Sequence, residues 1–305
     1  VSPYVTFYNL LVANGQILQP PSNSRPALST HSGEFGLILT TSNGVVKIGD
    51  DSFTWSCSKN NHSSDITVYG MFDLTIVKSV HEDGVSRRKM VEDTQFIKCE
   101  ADELFVVVKL NKGVPVISEI TKSAVDLTRC AYALKGRSSL FAKCSAGMTI
   151  SCLEIEKQKL HDKIDICSAS FCLGKTHEEL TSNLLNQLVY PSNGSPKPMS
   201  GNYLKSWSII LKTTDKVVFL INDARPKINS QEGISVFELQ DILKERFEYK
   251  WACVGDSGQS SKLMVINGDT KEIYGNMHYQ NYRGQTPVWD GLNGRPIPVA
   301  LLAYE

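Results

Sequence analysis

The residues best suited to chemistry lie in the run Trp251-Ala252-Cys253-Val254-Gly255-Asp256-Ser257-Gly258-Gln259-Ser260-Ser261. A carboxylate, small residues and two hydroxyls stand here between a helical pattern and the apolar stretch Leu263-Met264-Val265-Ile266, which Asn267-Gly268-Asp269 closes as a turn. Small side chains let a ligand approach backbone N–H groups, which gives Gly258 a place in a sugar or phosphate site. Asp256 can accept hydrogen bonds from a sugar hydroxyl or act as acid and base, and Ser260 and Ser261 can hold polar oxygens. The competing reading is a polar loop whose carboxylate is satisfied by neighbouring N–H groups.

Other groups can join this one. Asp223 ends the apolar run Val217-Val218-Phe219-Leu220-Ile221, where a polar residue faces either solvent or a site. Asp223 and Asp256 together would supply the two carboxylates that glycosidic cleavage requires. Arg225 and Arg295 have the forked guanidinium that grips a phosphate through two parallel hydrogen bonds; surface ion pairing is the plainer role for each. Ser260 and Ser261 have no histidine in a spacing that would make either a nucleophile. The six histidines show no H-x-x-x-H or comparable spacing, so no zinc site and no cofactor is expected. Trp251, Tyr282 and Trp289 could stack on a sugar face, with packing as the commoner use.

The elements that must position these residues are mostly strands. Val5 to Val12 is β-rich, and Asn14-Gly15 predicts a hairpin into Ile17-Leu18. Strands are expected around Gly36 to Thr41, after an Asn43-Gly44 turn at Val45 to Ile48, and at Asp65 to Tyr69. Further strands are expected at Leu74 to Val77, Leu104 to Leu110 and Met148 to Ile155. Two helices stand out. Thr176 can cap 177–188, whose Leu180, Leu184 and Leu188 share a face, and Ser235 can cap 236–247 with Glu238 completing a capping box. The expected class is α+β, a β-rich mixed-sheet core with a few helices. Pro191 to Pro198 is the expected internal boundary.

Composition narrows the partners. The 305 residues carry 32 basic and 32 acidic side chains, a balance that gives no electrostatic pull toward nucleic acid or an anionic membrane. The longest apolar runs are strand length, far short of the roughly 20 residues of a membrane span. No signal-peptide pattern opens the chain at Val1, and its compartment stays open. Seven of the eight cysteines fall between Cys57 and Cys172 without any C-x-x-C. Buried thiols are preferred over a disulfide framework. Asn61-His62-Ser63 and Asn193-Gly194-Ser195 match glycosylation sequons.

Over residues 205–305 four motifs occur in order. A strand ends in Asn222-Asp223-Ala224-Arg225, Gly233-Ile234-Ser235 opens a helix, the Asp256 run follows, and Gly294-Arg295-Pro296-Ile297-Pro298-Val299-Ala300-Leu301 closes the chain. This order resembles the phosphodiester glycosidase family, which includes an enzyme that removes N-acetylglucosamine from a phosphodiester. That family shows V-D-G-R, then G-x-S before a helix, then N-L-D-G-G-G-S-S, then R-P-V-x-N-A-L. The opening hairpin and Arg25-Pro26-Ala27-Leu28 are similar more loosely.

The resemblance implies that residues 1–50 and 201–305 form a glycosidase-like domain, with 51–200 an unassigned β-rich, cysteine-containing insertion or module. It implies catalysis by Asp256 and Asp223, with Arg225, Gly258, Ser260, Ser261 and Arg295 binding a sugar-phosphate diester or related glycan. Departures are equally specific: Val254 replaces the family's Asn, Gly255 its Leu, Ser257 and Gln259 two of its glycines, and Val299 the Asn near its end. A valine cannot give the hydrogen bonds of an amide. The alternative is therefore a catalytically degenerate, glycan-binding or structural component of a virion, phage tail or surface assembly. A homo-oligomer or larger assembly, and a secreted, surface or virion setting, go with either reading.

Overall fold

The computed structural model describes residues 9–21, 25–31, 34–41, 43–57, 64–71, 75–82, 85–93, 96–155, 158–159, 164–186, 189–190, 197–198, 204, 206–222, 226–227, 230–231, 233–257, 262–275, 278–279 and 288–289. Strands dominate, and two α-helices occur among the described residues, an α+β fold built on mixed sheet. Contacts divide the chain into two compact units, Val1–Val80 with Arg87–Ser168, and His81–Ser86 with Ala169–Glu305.

The first unit holds two large sheets. One runs in the order β2 (Gln16–Gln19), β1 (Leu11–Ala13), β17 (Ile164–Ser168), β3 (Arg25–His31), β4 (Glu34–Thr40). The other has eight strands: β12 (Val114–Thr121), β11 (Glu103–Asn111), β14 (Tyr132–Arg137), β7 (Ile66–Tyr69), β6 (Asp51–Cys57), β5 (Asn43–Ile48), β15 (Ile150–Ile155) and β16 (Gln158–Lys159). All neighbours in the larger sheet are antiparallel except β6 and β7, which makes it mixed. A bridge from Val116 to Thr149 ties β12 back to the segment entering β15. Short pairs are formed by β8 (Thr75–Glu82) with β9 (Val85–Asp93) and by β10 (Phe96–Ile97) with β13 (Val125–Asp126).

Strand β11 shows why the run Leu104 to Val108 is apolar throughout. Val106 and Val108 enter the main core with Trp55, Ile66 and Tyr132. Phe105 and Val107 enter a second cluster with Val125 and Leu127 on the opposite face. A strand covered on both sides loses the polar alternation of a half-exposed one.

The expected turns divide on one physical point. Asn14 and Gly15 take positive φ (49° and 75°), as a two-residue hairpin demands. Asn43 and Gly44, expected to turn, instead open β5 opposite Ser56 and Trp55. The β5–β6 reversal comes later, at Gly49 (φ 59°) and Asp50.

The second unit contains a four-stranded antiparallel sheet in the order β18 (Phe171–Cys172), β25 (Trp251–Ser257), β21 (Trp207–Lys212), β22 (Val217–Ile221). Between these in sequence lie the short pairs β19 (Val189–Tyr190) with β20 (Lys197–Pro198) and β23 (Pro226–Lys227) with β24 (Ser230–Gln231). The hairpin β26 (Lys262–Asn267) and β27 (Thr270–Gly275) follows, then the pair β28 (His278–Tyr279) and β29 (Val288–Trp289). Helices α1 (His177–Asn186) and α2 (Val236–Arg246) send Leu180, Leu184, Val236, Leu239 and Leu243 into one core with Phe171, Trp207, Ile209, Leu211, Ala252 and Val254. No helix among the described residues is long and apolar enough to cross a membrane.

The start of α2 follows its sequence signal closely. The Ser235 hydroxyl accepts the Glu238 N–H at 3.2 Å, and the Glu238 carboxylate accepts the Ser235 N–H at 2.8 Å. The backbone N–H and then the hydroxyl of Ser235 hold the Glu238 carboxyl below its ordinary range. A carboxyl depressed in the folded state stabilises above its unfolded pKa, and that contribution is lost as pH falls through the folded value. Ser235→Ala is expected to cost about 1 kcal/mol at neutral pH. The gap between variant and wild type should narrow as pH falls below the ordinary glutamate value of about 4.3; urea denaturation at neutral and successively lower pH measures it.

Candidate functional site

The site the sequence proposes is reached by two strands of the second unit, with β21 between them. Strand β22 runs antiparallel to β21 and finishes beside its start, with Ser208 opposite Ile221. Strand β25 also runs antiparallel to β21 and finishes at the same place, with Trp207 opposite Ser257. The chain leading into Asp223 and the strand carrying Asp256 therefore end at one edge of the sheet, on either side of Trp207.

Asn222 fastens that edge. Its side-chain oxygen accepts the Trp207 N–H at 2.7 Å, and its own N–H donates to the Trp207 carbonyl at 3.1 Å. Its carbonyl accepts the hydroxyl of the buried Ser206 at 2.6 Å. The sequence reading passed over Asn222; its signal was a polar residue closing an apolar strand directly before a candidate carboxylate.

Asp256 does not sit in a loop as expected. Residues 251–257 form a continuous strand whose backbone hydrogen bonds are supplied by β21, and to a lesser extent by β18. The register slips between Trp207 and Ile209: two steps along β21 answer three along β25, from Val254 to Ser257. One extra residue is thus accommodated at Gly255-Asp256, opposite Ser208. Such bulges bend a strand, raise its twist and re-aim side chains.

Gly255 has a local reason for being glycine. A Cβ there would come within 2.9 Å of the Ser208 Oγ, and its carbonyl accepts the Ser170 hydroxyl from the other side. Val254 is fully buried among Phe171, Ile209 and Ala252 on the helix-covered face.

The backbone of Asp256 is described. Asp223, Arg225, Gly258, Ser260, Ser261 and Arg295 lie outside the described residues, as do Gln259, Tyr282 and Val299. A shallow depression lined by Lys175, Lys244, Glu245, Arg246, Phe247, Glu248 and Tyr249 lies at the other end of β25. Its lining residue Tyr249 lies about 24 Å along an extended strand from Asp256. Burial, and then the charge of Glu179, raises the Tyr249 hydroxyl above its ordinary pKa, while that hydroxyl donates to the Gly174 carbonyl at 2.8 Å. This end of the sheet is a packed helix junction. Among the described residues no group of three His, Cys, Asp or Glu side chains could hold a metal ion.

No protein-family model and no curated protein matches the chain. Among solved structures, a Burkholderia pseudomallei chain described as a "putative exported protein" aligns with 12% identity and a TM-score of 0.45. The alignment covers 83% of this chain and 56% of that one, so this chain spans a little over half its length.

The close approach at the bulge is open to test. Gly255→Ala should destabilise the protein by about 1–3 kcal/mol, the cost of forcing volume into packed space. Ser208→Ala in the same chain removes the Oγ and leaves the Ser208 Cβ, 3.8 Å from the new methyl. The double variant should then regain most of the loss in urea denaturation.

Proposed function

We propose that the chain acts on a sugar-phosphate diester or a related glycan, as a phosphodiester-glycosidase-like hydrolase whose acid–base pair is Asp256 and Asp223. The observation that supports this most is the shared end of the sheet, where β22 stops at Ile221, two residues before Asp223, and β25 stops at Ser257, one residue after Asp256. Backbones one intervening strand apart stand about 10 Å from each other. From there two carboxylates can reach opposite sides of one glycosidic bond. In this reading one carboxyl protonates the departing phosphate oxygen, and the other steadies the developing oxocarbenium or activates water. Arg225 and Arg295 hold the phosphate, and Gly258, Ser260 and Ser261 the sugar side.

A second reading is favoured by Val254. Its complete burial sets an apolar core residue where the family that the sequence resembles carries an amide. On that basis the chain would bind a glycan or build an assembly without cleaving anything.

Hydrolysis of an N-acetylglucosamine phosphodiester by the purified chain separates the two. Turnover in wild type, falling at least about 100-fold in Asp256→Ala and in Asp223→Ala, is the expected result for removal of an acid–base group. Absence of turnover in well-folded wild-type protein, together with retained glycan binding by calorimetry, would give the second reading the field.

A further inference from the structure

Cys172 and Cys253 face each other across β18 and β25, the only described cysteines that are register partners on neighbouring strands. The kind of pair they form follows from the hydrogen bonding. Leu173 N–H donates to the Ala252 carbonyl at 2.9 Å. Leu173 opposite Ala252 is therefore a hydrogen-bonded pair, and the adjoining Cys172–Cys253 pair is non-hydrogen-bonded. In such a pair the Cα atoms approach to about 4.5 Å and the two side chains stand on the same face. A disulfide requires Cα atoms about 4.4–6.8 Å apart.

Both thiols lie on the face away from the helices, because their neighbours Phe171, Leu173, Ala252 and Val254 fill the helix-side core. Cys253 is fully buried, whereas Cys172 is partly exposed. Access is thus graded, with Cys172 the more accessible of the two.

We propose that Cys172 and Cys253 form a cross-strand disulfide when the protein meets a low-molecular-weight disulfide oxidant such as oxidised glutathione. The Cys172 thiolate attacks one sulfur of the oxidant, forming a mixed disulfide and expelling one small thiolate. The Cys253 thiolate then attacks the Cys172 sulfur, closing the protein disulfide and expelling the second small thiolate. The two protons lost by the protein thiols end on the two small thiols, so the oxidant is reduced by the two electrons the protein gives up. Burial raises the Cys172 thiol to about 11, which makes the first attack slow at neutral pH and faster as pH rises. The bond closes a ring from 172 to 253 that contains α1, β21, β22 and α2, and it fastens the edge strand β18 to the strand bearing Asp256. This inference is independent of which function the Asp256 edge performs.

Trypsin releases Cys253 on peptide 251–262, and Cys172 together with Cys167 on peptide 164–175. After native full-length protein is incubated with oxidised glutathione at mildly alkaline pH, unreacted thiols are alkylated and the unreduced digest is sequenced by mass spectrometry. The two peptides are expected as one cross-linked species, 2 Da lighter than their sum. It should persist in Cys167→Ser and vanish in Cys172→Ser and Cys253→Ser. Thiol titration in denaturant should fall by two, and dithiothreitol should lower the urea midpoint of the oxidised wild type alone. Glutathione retained on Cys172 with Cys253 still alkylatable, a link from Cys253 to Cys167, or no loss of thiols would each overturn the proposal.

Discussion

Trp207 sets the geometry on which the second unit depends. Its ring is wholly buried between sheet and helices, edge-on to Phe171 with centroids 6.2 Å apart. A buried indole must place its N–H on an acceptor, and this one donates to the Ile234 carbonyl at 2.8 Å. Ile234 immediately precedes the Ser235 cap, so the first residue of β21 anchors the start of α2. The backbone of the same residue exchanges hydrogen bonds with Asn222 and pairs with Ser257. Core, helix start and both strand ends therefore share one residue, and a shift in any of them would have to carry the others along.

The helix layer is locked by polar contacts that the apolar stripe alone would not provide. Gln240, fully buried on α2, donates through its amide to the Leu173 and Thr176 carbonyls at 2.6 and 2.9 Å. These bonds tie α2 to the chain that leaves β18 and enters α1. Lys175 lies over the Tyr249 ring at 3.8 Å and donates to the Tyr249 carbonyl. His177 meets Asp241 at 2.9 Å across the two helices. The exposed pair can add little. The buried amide fixes how α2 is seated, because losing it would remove a buried donor from the Leu173 carbonyl.

Local signals were legible where one short segment contains all the physics. The Ser235–Glu238 box, the Asn14-Gly15 hairpin and the leucine face of α1 each need only neighbouring residues to be recognised. The Asn43-Gly44 pair misled for the complementary reason. Its composition suits a turn, but Gly49 and Asp50 make the reversal, and pairing with Ser56 and Trp55 draws Asn43 and Gly44 into β5. The meeting of β22 and β25 around Trp207 depends on which strands are neighbours, information absent from any single segment. Cys172 and Cys253 are 81 positions apart in sequence and adjacent in the sheet for that same reason.

The bulge explains how an apolar core position and a candidate acid can stand two residues apart. In a regular strand, residues i and i+2 share a face. Ala252 and Val254 both enter the helix-side core, and unbroken alternation would send residue 256 there as well. A carboxylate in that core would lose several kcal/mol of hydration with no cation among the residues of the cluster to offset it. The extra residue at Gly255-Asp256 interrupts the alternation, and pairing resumes with Trp207 opposite Ser257. Glycine at 255 admits the close approach to Ser208 that this local geometry imposes. The cost of the bulge falls on position 255, where only the smallest residue fits without displacing Ser208.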